Sequence, residues 1–168
     1  MARPFNKHEI DNLNKRVERL RHSGMSRTAI EDVVFHRRAG RFGNLSQHKA
    51  FESIENGLAT AFVDYVADLI DVPQSTVLSL TRISTSSFAR RKTSGLLSSE
   101  ESDRVYRLKL IADKTLDFFE DNHEAAGRWL KTPAPALRGF KPLDLLVNEA
   151  GVREVEALLG RLEHGVFT

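Results

Sequence analysis

Apolar residues return every third or fourth position along almost the whole chain, the spacing that lines them up on one face of an α-helix. Ile10, Leu13, Val17 and Leu20 form the first stripe, opened by Asn6 with Glu9 three residues on and stopped at Ser23-Gly24. Ser26 is placed to cap a second helix through Ile30, Val33 and Val34 toward Gly40. The β-branched run at 32–36 also fits a short strand, and helix is preferred. Gly40-Arg41-Phe42-Gly43-Asn44 breaks the composition and reads as a linker. Phe51 and Ile54 begin a short helix that Gly57 closes, and Leu58, Phe62, Tyr65, Val66 and Leu69 make the next stripe. Val72-Pro73 ends that stripe and starts another, since proline suits the first turn of a helix.

The longest element begins at Ser98, with Glu101 completing a capping box, and carries Val105, Leu108, Ile111, Leu116 and Phe119 toward Asp121. Asn122 caps a short helix containing Trp129. Thr132-Pro133-Ala134-Pro135-Ala136 reads as an extended connector, and Pro142 opens a helix through Leu145 and Leu146. Val152, Val155, Leu158, Leu159 and Leu162 form a last amphipathic helix ended by Gly165. Alternating patterns are nearly absent, so the expected fold class is all-α.

At 168 residues the chain is long enough for one compact domain or two small ones with a true core. No apolar run is long enough to cross a membrane. The opening Met1-Ala2-Arg3-Pro4-Phe5-Asn6-Lys7 has no apolar segment, so a secretory signal is not expected, and the cytoplasm is the expected setting. With no cysteine, the chain can form neither disulfides nor thiolate metal sites. The net charge of +2 conceals an asymmetry: residues 1–50 hold 11 Lys/Arg and 5 Asp/Glu, whereas residues 51–168 hold 14 and 18. A basic end on an acidic chain points to an anionic partner, nucleic acid above all, although a solvated helix face explains the charge equally well.

The constellations that carry catalysis are missing. The chain has no Gly-x-Gly-x-x-Gly, Walker, Gly-x-Ser-x-Gly or His-Glu-x-x-His motif. His8, His22, His36, His48, His123 and His164 are scattered, with no two at ligand spacing on one helix. The acidic pair Glu100-Glu101 sits at a helix start, where the macrodipole accounts for it. No enzymatic activity, metal or cofactor is expected.

Residues 74–92 read as a helix-turn-helix. A short helix ends near Thr81, Ile83 fills the corner, Ser84 caps a second helix, and Phe88 faces inward. Thr85, Ser86, Ala89 and Arg90 then face out, beside Ser87 and followed by Arg91 and Lys92. Small hydroxyls at the first turn and cations behind them suit a major groove, with bases read in front and phosphates held at the rear. A helical hairpin with a basic surface has the same pattern.

Further on, Lys141-Pro142-Leu143-Asp144-Leu145-Leu146, then Glu149-Ala150-Gly151 and the helix Val152 to Phe167 resemble the C-terminal toxin-binding domain of the Xre/MbcA/ParS antitoxins. Thr132-Pro133-Ala134-Pro135-Ala136-Leu137 is similar to the family's connector, and Gly95 to Arg104 to its long-helix start. The resemblance runs from about Phe51 to Thr168 and leaves the first 50 residues unassigned. It implies a type II antitoxin with an Xre-like helix-turn-helix that binds its own operator and represses its own operon. It also implies a partner toxin of the RES type, which consumes NAD or transfers ADP-ribose from it and is blocked at its active-site entrance by the antitoxin chain end.

On this resemblance the expected division is a basic helical extension at 1–50, the helix-turn-helix domain at 51–121 and the toxin-binding domain at 122–168. The DNA contacts fall to Thr85, Ser86, Ser87, Arg90, Arg91 and Lys92. The toxin contacts fall to Arg153, Glu154, Arg161, Glu163, His164, Gly165 and Phe167, and a homodimer is expected to present two DNA half-sites. One departure stands out: the family's usual Gly before the Ile-Ser turn is Arg82 here, and the small residue four before it is Leu78. A bulky pair at that contact would widen the inter-helix angle. A stand-alone helix-turn-helix regulator and a helical nucleic-acid or protein adaptor are the alternative readings.

Overall fold

The computed structural model describes residues 44–165, together with Glu18 and Arg21 upstream. Those two are helical and ion-paired at 2.7 Å. The other residues of 1–43, which include the rest of the two helices expected there and residues 40–43 of the expected linker, lie outside the described residues, as does the segment 166–168. Among the described residues the chain forms α1 (Asn44–Asn56), α2 (Ala61–Leu69), α3 (Gln74–Leu80), α4 (Thr85–Ser94), α5 (Ser99–Phe118) and α6 (His123–Lys131). A 3-10 turn (Pro135–Leu137), α7 (Pro142–Leu145) and α8 (Glu149–Glu163) follow, and no strand is present among these residues.

The fold is organised around α5, a 20-residue helix about 30 Å long. Its capping box is complete: the Glu101 N–H donates to Ser98 Oγ at 3.2 Å, and the Ser98 N–H donates to Glu101 Oε2 at 2.8 Å. Val105, Leu108, Ile111, Ala112 and Leu116 are buried, and α5 packs against α1, α2, α6 and α8. On the facing helix α2, Phe62, Val63, Tyr65, Val66, Ala67 and Leu69 are all buried. One continuous core runs from Leu58 to Leu159 and takes in every helix from α2 to α8.

Between α1 and α2 the chain turns at Gly57, whose φ of +88° belongs to the left-handed region and whose Cα lies against the Leu97 carbonyl. The Leu58 N–H then donates to Ser102 Oγ at 2.8 Å and the Leu97 N–H to the Leu58 carbonyl at 2.9 Å. Ala59 and Leu96 form an isolated antiparallel bridge beside them. This corner ties the start of the helix-turn-helix region to its end.

Three helices, α2, α3 and α5, stop in a left-handed residue that is not glycine. At each, the residue after the cap adopts a positive φ, namely Asp71 (52°), Arg82 (53°) and Glu120 (51°). The following N–H reaches back five residues: Val72 to Ala67, Ile83 to Leu78 and Asp121 to Leu116. These are Schellman turns built with non-glycine residues. Two of the stops gain a cation on a terminal carbonyl, from Lys131 Nζ to Asp71 O at 3.0 Å and Arg104 Nε to Thr81 O at 2.7 Å.

Several boundaries differ from the sequence reading. The helix expected to begin at Phe51 begins at Asn44, because nothing between the expected linker and Gly57 breaks it. The extended connector holds a 3-10 turn, since Pro135 starts a turn closed by the Arg138 N–H on the Pro135 carbonyl. Pro73 is the extended cap of α3 rather than its first helical residue. The Leu78–Arg82 pair is accommodated: Leu78 packs in the core while Arg82 closes the turn and keeps its side chain exposed.

The approach of α8 to α7 depends on a missing methyl group. Asn148 Oδ1 accepts the Gly151 N–H at 3.0 Å, and a Cβ on Gly151 would stand 1.9 Å from the Leu145 carbonyl oxygen. Backbone on backbone cannot yield as a side chain does. Gly151→Ala is therefore expected to destabilise the protein by about 3 kcal/mol, read as a lowered urea midpoint. A midpoint within error of the parent would show that the α7–α8 junction is not this tight.

Candidate functional site

Ser84 sets the first turn of α4. Its Oγ accepts the Ser87 N–H at 3.0 Å, donates to Ser87 Oγ at 2.9 Å and lies 3.0 Å from Ser86 Oγ. Phe88 is buried at 3% exposure and Ile83 at 5%, so the inward face is as the sequence predicts. Thr85, Ser86, Ala89 and Arg90 are exposed, and Ser87 is half-buried. Lys92 is exposed, with Nζ 5.0 Å from the centroid of the Phe88 ring.

Arg91 departs from this surface. It turns back so that Nε meets Glu101 Oε2 at 2.7 Å, on the same oxygen that accepts the Ser98 N–H. The pair is largely covered, with the Glu101 side chain 10% exposed and that of Arg91 31%. Arg91 thus joins the end of α4 to the start of α5, leaving Arg90 and Lys92 as the outward cations of this helix.

On α8, Gly151, Val152, Val155, Leu158 and Leu159 are buried, and Arg153, Glu154, Ala157, Arg161 and Glu163 are exposed. Arg153 Nε pairs with Glu149 at 3.2 Å; Glu149 also takes Arg107 at 2.6 Å, and Arg107 takes Asp103 at 2.7 Å. Arg107, then Arg153, hold the Glu149 carboxyl below its ordinary value. A second tie between the helices joins Lys114 to Glu156 at 2.5 Å. His164 is the exposed C-cap, and Gly165 follows with φ +65°. Phe167 lies outside the described residues.

Two features carry no signal in the sequence pattern. Phe140 is 56% exposed on the loop between the 3-10 turn and α7. A cleft of about 200 Å³ opens where the α3–α4 turn, α5 and the α7–α8 junction meet, rimmed by Arg82, Arg104 and Arg107. Among the described residues no group of three His, Cys, Asp or Glu could hold a metal ion, and no helix is long and apolar enough to cross a membrane.

The fold and its two polar surfaces define a helix-turn-helix protein whose C-terminal helices pack onto the same core. Residues 50–108 match the family model described as the antitoxin Xre-like helix-turn-helix domain, and residues 116–165 match the antitoxin Xre/MbcA/ParS C-terminal toxin-binding domain. The chain is 36% identical over 118 residues to an "Antitoxin Xre" of Yersinia enterocolitica, covering 70% of this chain and 80% of that protein. It is 29% identical over 116 residues to an "Antitoxin Xre" of Photorhabdus laumondii, covering 68% and 78%. A "Prs ADP-ribosylating antitoxin" of a Sphingobium species is 27% identical over 123 residues, covering 68% and 77%. The chain belongs to the Xre antitoxin family, a family of antitoxins and helix-turn-helix regulators rather than enzymes. Its toxin-binding domain implies a toxin partner, and its helix-turn-helix implies DNA binding.

Burial pushes the Glu101 carboxyl up, but the Ser98 N–H and the Arg91 guanidinium together pull harder and hold it below its ordinary value of 4.5. A carboxylate depressed in the folded state stabilises above its unfolded value and loses that contribution as pH falls through the folded one. Glu101→Gln is expected to cost about 2 kcal/mol at pH 7. The deficit should shrink below about pH 4.5, where the parent loses the same charge. Thermal unfolding of both proteins from pH 7 to about 3 reads this, and a deficit that stays constant would rule the ion pair out as its source.

Proposed function

We propose that this chain is the antitoxin of a type II pair that neutralises a RES-like, NAD-consuming toxin by occluding its active site and that represses its own operon as a homodimer in the cytoplasm. In this reading residues 51–121 engage the operator and residues 122–168 the toxin. The observation that carries it is that two exposed polar surfaces meet one helix in a chain of the Xre antitoxin family: α8 packs on α5, and α4 is tied to α5 by the Arg91–Glu101 pair. The relative whose name reads "Prs ADP-ribosylating antitoxin" supports a partner that uses an ADP-ribose donor.

For the operator, Thr85, Ser86 and Ser87 are assigned to the groove and Arg90 and Lys92 to phosphates, with Arg91 holding α4 in place. Two phosphates per protomer make four in a dimer, so log K against log salt should fall with a slope of roughly −4. Replacing Arg90 and Lys92 together by Ala should remove most of that slope, read by titrating a duplex from the upstream region at several salt concentrations. Unchanged binding by the double variant would overturn the assignment of α4.

For the toxin, Arg153, Glu154, Arg161 and Glu163 form the exposed face of α8, and His164, Gly165 and Phe167 lead the chain into the toxin's entrance. A chain lacking residues 164–168 is expected to fold and to bind the operator duplex as the parent does, while failing to restrain NAD consumption by the toxin encoded in the adjacent reading frame. Full protection of cells by the shortened chain would sink the occlusion mechanism.

A further inference from the structure

The cleft beside the helix-turn-helix is built from both matched regions. Leu80, Arg82, Arg104 and Leu108 come from the helix-turn-helix match, and Leu146 and Val152 come from the toxin-binding match. Its floor is apolar and its rim cationic, and the cations differ in how they are used. Arg107 is matched by Asp103 and Glu149. Arg104 gives Nε to the uncharged Thr81 carbonyl, which leaves its positive charge uncompensated. Arg82 is exposed, and its side chain makes no hydrogen bond or ion pair among the described residues. No acidic side chain lines the cleft.

Size and chemistry restrict the occupant. At about 200 Å³ the cleft is smaller than the pockets that hold cofactor-sized molecules, and it suits a single side chain. A phosphodiester would satisfy the guanidinium groups but has nothing to cover the leucine and valine floor. A protein segment with an apolar side chain next to Asp or Glu satisfies both, since guanidinium and carboxylate pair through parallel hydrogen bonds. The toxin fits better than a second copy, because the cleft reaches the first turn of α8 and so continues the toxin-binding face.

We infer that this cleft is an anchor site for the toxin: it receives an apolar side chain flanked by a carboxylate, and Arg82 and Arg104 grip the carboxylate. The inference rests on the antitoxin reading and extends the toxin's footprint from α8 onto the turn of the helix-turn-helix. Arg82 then helps this antitoxin recognise its own toxin.

The same backbone supplies a clean test. At φ 53° glycine is at ease, so Arg82→Gly removes the cation while keeping the turn. Losing one charge-assisted contact should weaken binding of the toxin encoded in the adjacent reading frame by about 10- to 100-fold in calorimetric titration. Arg82→Glu should weaken it further, by repelling the incoming carboxylate. Affinity for the operator duplex, thermal midpoint and sedimentation should stay at parent values for Arg82→Gly. Unchanged toxin affinity for Arg82→Glu would overturn the inference and leave the antitoxin reading standing. A loss that falls on the duplex or on self-association, with toxin affinity intact, would overturn it too. Failure of the parent chain to bind the toxin would overturn both.

Discussion

A single carboxylate, that of Glu101, holds together the part of the molecule on which everything else is built. It closes the capping box of α5 through the Ser98 N–H and draws Arg91 in from the end of α4. One residue on, Ser102 Oγ accepts the Leu58 N–H and fixes the corner between α1 and α2. Two adjacent side chains at the first turn of α5 therefore set where α1, α2 and α4 stand. Buried donors and acceptors left unmatched would each cost about 1–3 kcal/mol, so this junction has little freedom to drift. The exposed face of α4 is placed only as firmly as the Arg91–Glu101 tie holds it.

From that junction α5 runs on into the second matched region. The helix-turn-helix match ends at residue 108 and the toxin-binding match begins at residue 116, and both positions lie inside the one helix. The core is shared across them: Val105 and Leu108 on one side and Ala112 and Leu116 on the other belong to the same cluster as Val155 and Leu159 of α8. Two units joined by a linker would each need a core of their own. Here the C-terminal helices complete the core of the N-terminal ones, so the exposed faces of α4 and α8 are presented on a common support.

Local chemistry was the legible part of this fold. Ser84, Ser98 and Asn122 are caps that can be read from residue type and spacing, and each accepts the N–H three residues on. The inward placement of Ile83 and Phe88 followed from the helical period alone. Helix ends were less legible, because glycine is the usual sign of a stop and Asp71, Arg82 and Glu120 take that conformation without it. Those stops are imposed by the Schellman hydrogen bonds and the packing around them. In the candidate site, exposure was legible where it follows from the helical period, as at Thr85, Ser86 and Arg90. It was not legible at Arg91, whose partner lies on another helix, nor in the cleft, where Arg104 and Arg107 of α5 meet Arg82 of the α3–α4 turn, more than twenty residues away in sequence.

The two surfaces differ in how firmly their charges are held, and that difference decides which cations can serve a partner. Arg91 is bound to a carboxylate that also caps a helix, so withdrawing it would unsettle the base of α4 as well as break an ion pair. Arg153 is bound to Glu149 at the surface, where the Arg153 side chain is 75% exposed and that of Glu149 is 51% exposed. Exposed pairs of this kind are worth about 0–1 kcal/mol, and Glu149 keeps Arg107 when Arg153 leaves. What holds α8 down is the burial of Val152, Val155, Leu158 and Leu159 and the close seat of Gly151 on Leu145, none of which depends on Arg153. A toxin carboxylate can therefore take Arg153 from Glu149 at little cost to the fold, whereas a DNA phosphate that took Arg91 from Glu101 would loosen the helix presenting it. The tie that fixes α4 turns one of its three cations toward α5, and the loose ties on α8 leave its charges free to change partners.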